Sequence, residues 1–326
     1  MRKIYYLYRL PTFLKHSVKK QIHQFLFLTG SIAAIFLSAT TVTSAQTPTD
    51  GLMMSKGQVC VMAVYTHDRW QEYWEGGLKR ENFNLGKVTT QSGSVMAAAG
   101  LTKHVNIMAS LPYVSVQTGA GTFNGRRGFQ DASVAVKVRP FEKDALAGKL
   151  SAMTVLGFST PASNYVADYL PMSIGLRSTT GSLRGIVHYK HKTGIFTTLQ
   201  AGYIRRSNIK IDRYAYYTDR QYNTNEVWMP DVASYSARAG YYSKELIAEA
   251  WIDHMQTLGG TDIRRNDMPF PSNRMIATRV GVMGTYRLPF MKNLSVLSSV
   301  GYTVAGRNVG QSTSISGGIS YIIDAW

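Results

Sequence analysis

Apolar and polar side chains alternate in twelve stretches of the chain: 57–67, 85–100, 103–117, 128–141, 148–160, 182–191, 194–207, 232–242, 245–257, 275–287, 293–305 and 311–325. A strand that crosses a bilayer takes ~9–11 residues, apolar on alternate positions. In 128–141, Ala132, Val134, Val136 and Val138 share one face, and Asp131, Ser133, Lys137 and Arg139 share the other. In 182–191, Leu183, Val187 and Tyr189 oppose Arg184, His188 and Lys190; in 275–287, Ile276, Val280, Val282 and Tyr286 oppose Arg279, Met283 and Arg287. Beyond residue 45 no run of 18 apolar residues occurs, so no spanning helix is expected. Alternation also suits a soluble sandwich with its charged face in water. A wet lumen accepts the same charges, whereas a sandwich core would not.

The connections separate these readings further. Long gaps (68–84, 118–127, 161–181, 208–231, 258–274, and the modest 306–310) alternate with short ones at Leu101–Thr102, 142–147, Lys192–Thr193, Ser243–Lys244 and 288–292. Outer-membrane barrels have short periplasmic turns and longer outer loops. The expected fold is therefore all-β, a single antiparallel transmembrane barrel of about twelve strands over 57–326, with both ends in the periplasm. The 161–181 gap has room for two more strands, which would make fourteen. In the last strand Ile319, Tyr321 and Ile323 share a face, and Trp326 falls out of phase.

The N-terminus carries Arg2, Lys3, Arg9, Lys15, Lys19 and Lys20 before an apolar run, Phe25 to Val42, and the small residues Thr43-Ser44-Ala45. These are the three parts of a signal peptide, expected to be cleaved before Gln46. A retained anchor is the alternative, and a lipoprotein is not expected because no Cys lies near the cut. Residues 46–56 read as a short flexible lead-in. Cleavage lowers the +17 of the whole chain by six, to +11. The charges are scattered, so nucleic-acid binding is not expected; lipid and lipopolysaccharide phosphates suit a basic barrel. The single cysteine, Cys60, lies in an apolar strand pattern, packed or lipid-facing.

Lys137, Arg139, Arg184, His188, Lys190, Arg206, Arg238 and Arg279 fall on the expected inner faces, with Glu249 and Asp253 facing them. Rings of charge set pore selectivity, so a basic constriction for anions or carboxylate-bearing compounds is one reading. A salt-bridge mesh that fills the barrel is the other. The loop 208–231 holds Tyr214, Tyr216, Tyr217, Tyr222 and Trp228, either a vestibule for aromatic ligands or an interfacial girdle. The loop 258–274, with Arg264, Arg265 and Phe270 between two prolines, suits a lid over the mouth or a rim that holds phosphates. Within the dipeptides His67-Asp68 and Asp253-His254 the two side chains point to opposite faces wherever the strand continues, so a barrel hydrolase ranks third, behind a channel and a structural or adhesive barrel with a filled lumen. Neither a metal site nor a cofactor is expected.

The run Gly128-Phe-Gln-Asp131-Ala-Ser-Val-Ala-Val-Lys137-Val-Arg139, with Leu111-Pro112-Tyr113 and Gly119-x-Gly121 before it, resembles a strand of the MetA-pathway phenol-degradation family of outer-membrane transporters. So does the course of the chain from roughly 55 to 326. That family is similar in outline to the fatty-acid and hydrocarbon transporters, which are fourteen-stranded barrels with an N-terminal hatch. The resemblance implies passive passage of small, mostly apolar or aromatic compounds. The eleven residues 46–56 are too few for such a hatch. The expected partners are a small-molecule substrate, outer-membrane lipid and lipopolysaccharide, and the barrel-assembly machinery.

Overall fold

The computed structural model describes residues 46–326 except 123–124, 264–267 and 292. The expected export segment 1–45, and Arg264 and Arg265, lie outside the described residues. Twelve long strands succeed one another: β1 (Gln58–Trp70), β2 (Val88–Gly100), β3 (Val105–Thr118), β4 (Asp131–Ala145), β5 (Gly148–Pro161), β6 (Thr180–His191), β7 (Ile195–Arg206), β8 (Val232–Tyr242), β9 (Leu246–Thr257), β10 (Ile276–Arg287), β11 (Leu294–Arg307) and β12 (Thr313–Asp324). Each pairs antiparallel with its sequence neighbours, and β1 also pairs with β12, Gln58 opposite Asp324 and Arg69 opposite Thr313. The sheet closes on itself, so the charged faces are enclosed and the sandwich alternative falls away. Residues 162–179 hold one 3-10 turn, Ala167–Tyr169, instead of two further strands.

Outward positions carry aliphatic side chains. Val95, Val134, Val136, Leu156, Leu183, Leu199, Ile252, Val282 and Val300 are all exposed. In water such a belt would drive association; against lipid it is the outer face of a membrane barrel. Aromatic rings bound the belt. Tyr65, Tyr113, Phe158, Tyr203, Tyr235 and Tyr302 stand toward the loop end, and Phe141, Tyr189, Tyr241 and Tyr321 toward the turn end. The strands thus supply the aromatic girdle, with Tyr321 standing between Ile319 and Ile323 on the outer face of β12.

Two irregularities re-aim side chains. The pairing of β4 with β5 shifts between Val138 and Phe141, and that of β10 with β11 shifts between Thr278 and Arg279. A bulge bends its strand and turns the residues beside it away from the regular pleat. Arg139, expected on the lumen face beside Lys137, lies at this first shift. It pairs there with Glu142 at 2.5 Å and donates to the Lys103 carbonyl at 3.0 Å, at the turn-end rim.

Residues 46–56 are not a loose lead-in. They fold back inside the barrel, in the half nearer the short turns, and form a strap across the lumen. Gln46, Asp50 and Met54 are all buried. Met54 packs with Cys60, Ala98, Met108, Met153, Ile186 and Ile322, residues of six different strands. Cys60 is therefore inward and packed. The strap leaves through Gly57, whose φ of +82° is open to glycine at little cost.

Candidate functional site

The strap is tied to the wall by one fully buried cation. Lys137 donates from Nζ to the Thr47 carbonyl (3.2 Å), the Asp50 carbonyl (2.7 Å) and Asp50 Oδ1 (2.9 Å). All three ammonium protons are therefore used, as burial of a charge requires. Asp50 also holds the strap's own turn, accepting from the Thr47 hydroxyl at 2.9 Å and the Leu52 N–H at 2.9 Å. Asn106, buried beside Lys137 on β3, pairs its amide with that of Gln46. Gly51 lies on the ring of His188, so close that a Cβ there would sit 2.1 Å from Nδ1. His188 Nδ1 in turn meets the Thr198 hydroxyl at 2.8 Å.

A second cluster stands on β8 and β9. Arg238 Nη1 donates to Glu249 Oε1 at 2.7 Å, and its Nη2 lies 3.4 Å from Thr49 Oγ1 and 4.0 Å from Asp253. Ser236 donates to Asp253 Oδ1 at 2.5 Å. Higher in the lumen, Arg279 donates to Ser314 at 2.8 Å and faces Asp68 at 3.7 Å. Lys190 rests over the Tyr242 ring, 3.4 Å from its centroid. Arg184 and Arg206 differ from these. Their inward guanidinium groups make no ion pair within 4 Å among the described residues, although Asp231, which accepts from the Arg206 N–H, stands near Arg206; Arg184 Nε and Arg206 Nη1, like Nε of Arg238 and Arg279, are buried without a hydrogen-bond partner. Paired and unpaired cations thus share one lumen.

Beside the strap a cavity of about 270 Å³ remains. Thr47, Asp50 and Leu52 form one side; Met62, Val64, Met96, Met283 and Leu297 line the other, with Ser94, Ser299 and Ser316 between them. The inner surface there is apolar with scattered hydroxyls, and Glu249, Asp50 and His188 also line it.

At the outer end the loops fold inward. Tyr165 and Ile174 pack on Val88, Val114 and Val116 of the inner wall. Tyr165 gives its hydroxyl proton to Asp131 and accepts from the Arg177 N–H at 2.9 Å. Burial first, then Asp131, hold this hydroxyl above its ordinary titration range, so it stays a donor. Arg213 joins Asp168 at 2.9 Å, tying this loop to the Tyr-rich one. The expected tyrosines part company. Tyr216 and Tyr222 stack at 5.1 Å and enter a cluster with Ile209, Ile211, Val227 and Met229. Tyr214, Tyr217 and Trp228 are exposed, with Trp228 lying over Gly259. Phe270 starts a 3-10 turn, Phe270–Ser272, and lines a second cavity of about 330 Å³ together with Trp70, Tyr73, Leu85, Leu170 and Val309.

The Asp–His dipeptides do diverge. Asp253 faces the lumen, while His254 turns outward to stack on Tyr235 and meet the Thr278 hydroxyl at 2.9 Å. Gln46, Asp50 and Asn106 were not expected in the lumen. Their sequence surroundings, a Thr-Pro-Thr-Asp-Gly turn and a strand start, point only to a loop and a polar strand position.

No family model matches the chain, and no curated protein matches it in sequence. Solved structures do resemble it. The COG4313 outer membrane channel from Pseudomonas putida F1 superposes with a TM-score of 0.68 at 14% identity, over 86% of this chain and 100% of that one. The NanC porin gives 0.47 at 9% identity, over 80% and 98%. The deltaS2S3 mutant of TodX, a monoaromatic hydrocarbon channel, gives 0.45 at 9% identity, over 83% and 91%. With the first of these the chain shares its fold, that of an outer-membrane channel barrel.

Proposed function

We propose that this chain is an outer-membrane channel for passive diffusion of a small apolar or aromatic compound with a polar or anionic end. The observation that carries this reading is Arg184, an inner-wall cation that no carboxylate among the described residues pairs and whose Nε is buried and unmet. A lumen filled only for stability would pair its charges, because an uncompensated buried charge is costly. An apolar cavity beside the strap suits the body of such a compound, and the unpaired Arg184 guanidinium suits its charged end. Export by 1–45, insertion by the barrel-assembly machinery and contact with lipopolysaccharide, through Arg264 and Arg265 among others, belong to the same proposal.

Conductance in planar bilayers tests it. The barrel is expected to conduct with anion selectivity, and Arg184→Ala with Arg206→Ala is expected to move the reversal potential toward cation selectivity. A silent barrel, or one whose selectivity ignores both substitutions, sinks the reading. The second reading, a sealed structural barrel, is favoured by the strap and its buried Lys137–Asp50 pair. It requires the intact protein to be silent and a chain lacking 46–55 to conduct.

A further inference from the structure

The second cavity lies at the outer end, a half-open hollow lined by the loops and the strand ends. At about 330 Å³ it is the size of a small-molecule site, and such sites start at ~300 Å³. Trp70, Tyr73 and Phe270 offer ring surfaces, Leu85, Leu170 and Val309 aliphatic ones, and no lining residue carries a formal charge. The wall thus suits a neutral aromatic body.

Three asparagines line this cavity, and the fold treats them differently; Asn82 is half-buried and accepts from the Leu85 N–H at 3.3 Å. Asn308 is fully engaged. Its Oδ1 accepts from the Gly76 N–H (2.7 Å) and the Ile263 N–H (3.2 Å), and its Nδ2 donates to Asp262 Oδ1 (2.8 Å) and the Arg274 carbonyl (2.7 Å). That uses all four positions of the amide. Asn273 is fixed only by its backbone. Its N–H donates to the Phe270 carbonyl at 3.1 Å, and it bridges to Thr261. The residue is 1% exposed, and neither Oδ1 nor Nδ2 has a hydrogen-bond partner among the described residues. Buried amides left unmet are rare because each unmet group costs free energy. An amide held by its backbone, unmet in its side chain and set in the wall of an apolar cavity is placed to read a ligand.

We propose that this outer cavity binds one small neutral aromatic molecule bearing a carboxamide-like edge, and that Asn273 recognises that edge. An amide presents a donor and an acceptor side by side, so its best complement is another planar donor–acceptor edge met by two hydrogen bonds. A carboxylate offers acceptors only and would enter a neutral wall with its charge unpaired. A plain hydrocarbon fits the rings but leaves the amide unmet. This site goes beyond the channel reading and stands whether or not the barrel conducts, because the test reads binding alone.

Isothermal titration of benzamide, benzoate and toluene into the detergent-solubilised full barrel decides the matter. Benzamide is expected to bind about tenfold tighter than toluene or benzoate, the scale of one buried polar match. Asn273→Leu is expected to erase that preference and leave toluene binding at least as tight as before. Asn273→Asp, a same-shape change without a donor, is expected to weaken benzamide while the barrel keeps its heat-modifiable migration in gels. Val309→Trp, which fills the cavity, is expected to lose all three ligands. Equal binding of benzamide and toluene by the parent protein overturns the proposal. So does a preference that survives the changes at Asn273, or benzamide binding that survives Val309→Trp.

Discussion

Lys137 shows how a single residue organises the interior. It is the bulkiest of the fully buried side chains, and each of its three protons meets an oxygen of the strap. Removing one partner of a buried ion pair costs about 3–5 kcal/mol, because the other charge is stranded. Asp50→Ala is therefore expected to release the strap while the wall stays closed. The measurement is single-channel conductance, which should rise in step size as the strap leaves the lumen, together with faster proteolysis within 46–56. Unchanged conductance and unchanged cleavage would remove the strap from any part in controlling the lumen. Lys137→Met is expected to release the strap as well, since it strands the buried Asp50 carboxylate and two strap carbonyls.

On the scale of the element, the strands act through their period of two. A shift of one residue would carry every inward side chain into lipid. Cysteines placed at Val136 and Ile276 are expected to react with lipid-soluble maleimides, and cysteines at Ser316 and Arg279 with water-soluble ones. The reverse pattern would discard the register. Position 137 is unsuited to this test, since the strap seals it. The loops are elements too, and ion pairs hold them alongside short ladders such as that of Tyr216–Tyr217 with Gln221–Tyr222. Asp262, in the loop after β9, takes both Arg307 and Asn308, with Arg307 Nε at 2.7 Å. The hydrogen bond from Arg307 holds this carboxyl below its ordinary value. A lowered folded value means that the contribution is full above the unfolded value of ~3.9 and is lost as pH falls through the lower folded one. Because the pair is partly exposed, its contribution is small. Cleavage of the 258–275 loop by pepsin is expected to rise as pH drops below about 4. Arg307→Gln should bring that susceptibility to higher pH, and a pH-independent cleavage rate would show that Asp262 does not hold the loop.

On the scale of the whole molecule, closure is what makes the rest possible. Pairing β1 with β12 removes the sheet edges, which in an open sheet would invite association. It also divides the surface into a lipid belt bounded by two rings of aromatics and a lumen that accepts Arg184, Arg238 and Arg279. The lumen is then shared between the strap, a 270 Å³ cavity beside it and the inward-folded loops toward the outer end. Passage, on the channel reading, runs along the side that the strap leaves open, past Met62, Met96 and Met283. Flexible methionines suit a surface that must accept varied apolar shapes.

The strands and their facing were legible along the chain. The inward placing of Lys137, Arg184, His188 and Arg279, and the outward placing of Val136, Leu183 and Val282, come from the pleat, and the pleat is local. The rhythm of long and short connections likewise gave the order of loops and turns. Other features come from residues far apart in the chain meeting in space, and no local pattern carries those. Asp50 and Lys137 are 87 positions apart, so nothing in Thr-Pro-Thr-Asp-Gly marks the segment as a strap. The bulge that takes Arg139 to the rim depends on how β5 pairs. Which tyrosines form the girdle and which join a loop core depends on strand ends and on contacts between loops. Asn308 and Asn273 look alike in sequence, and only the packing of three loops satisfies one amide and leaves the other unmet. Local sterics set the direction of each side chain, and long-range pairing set its company.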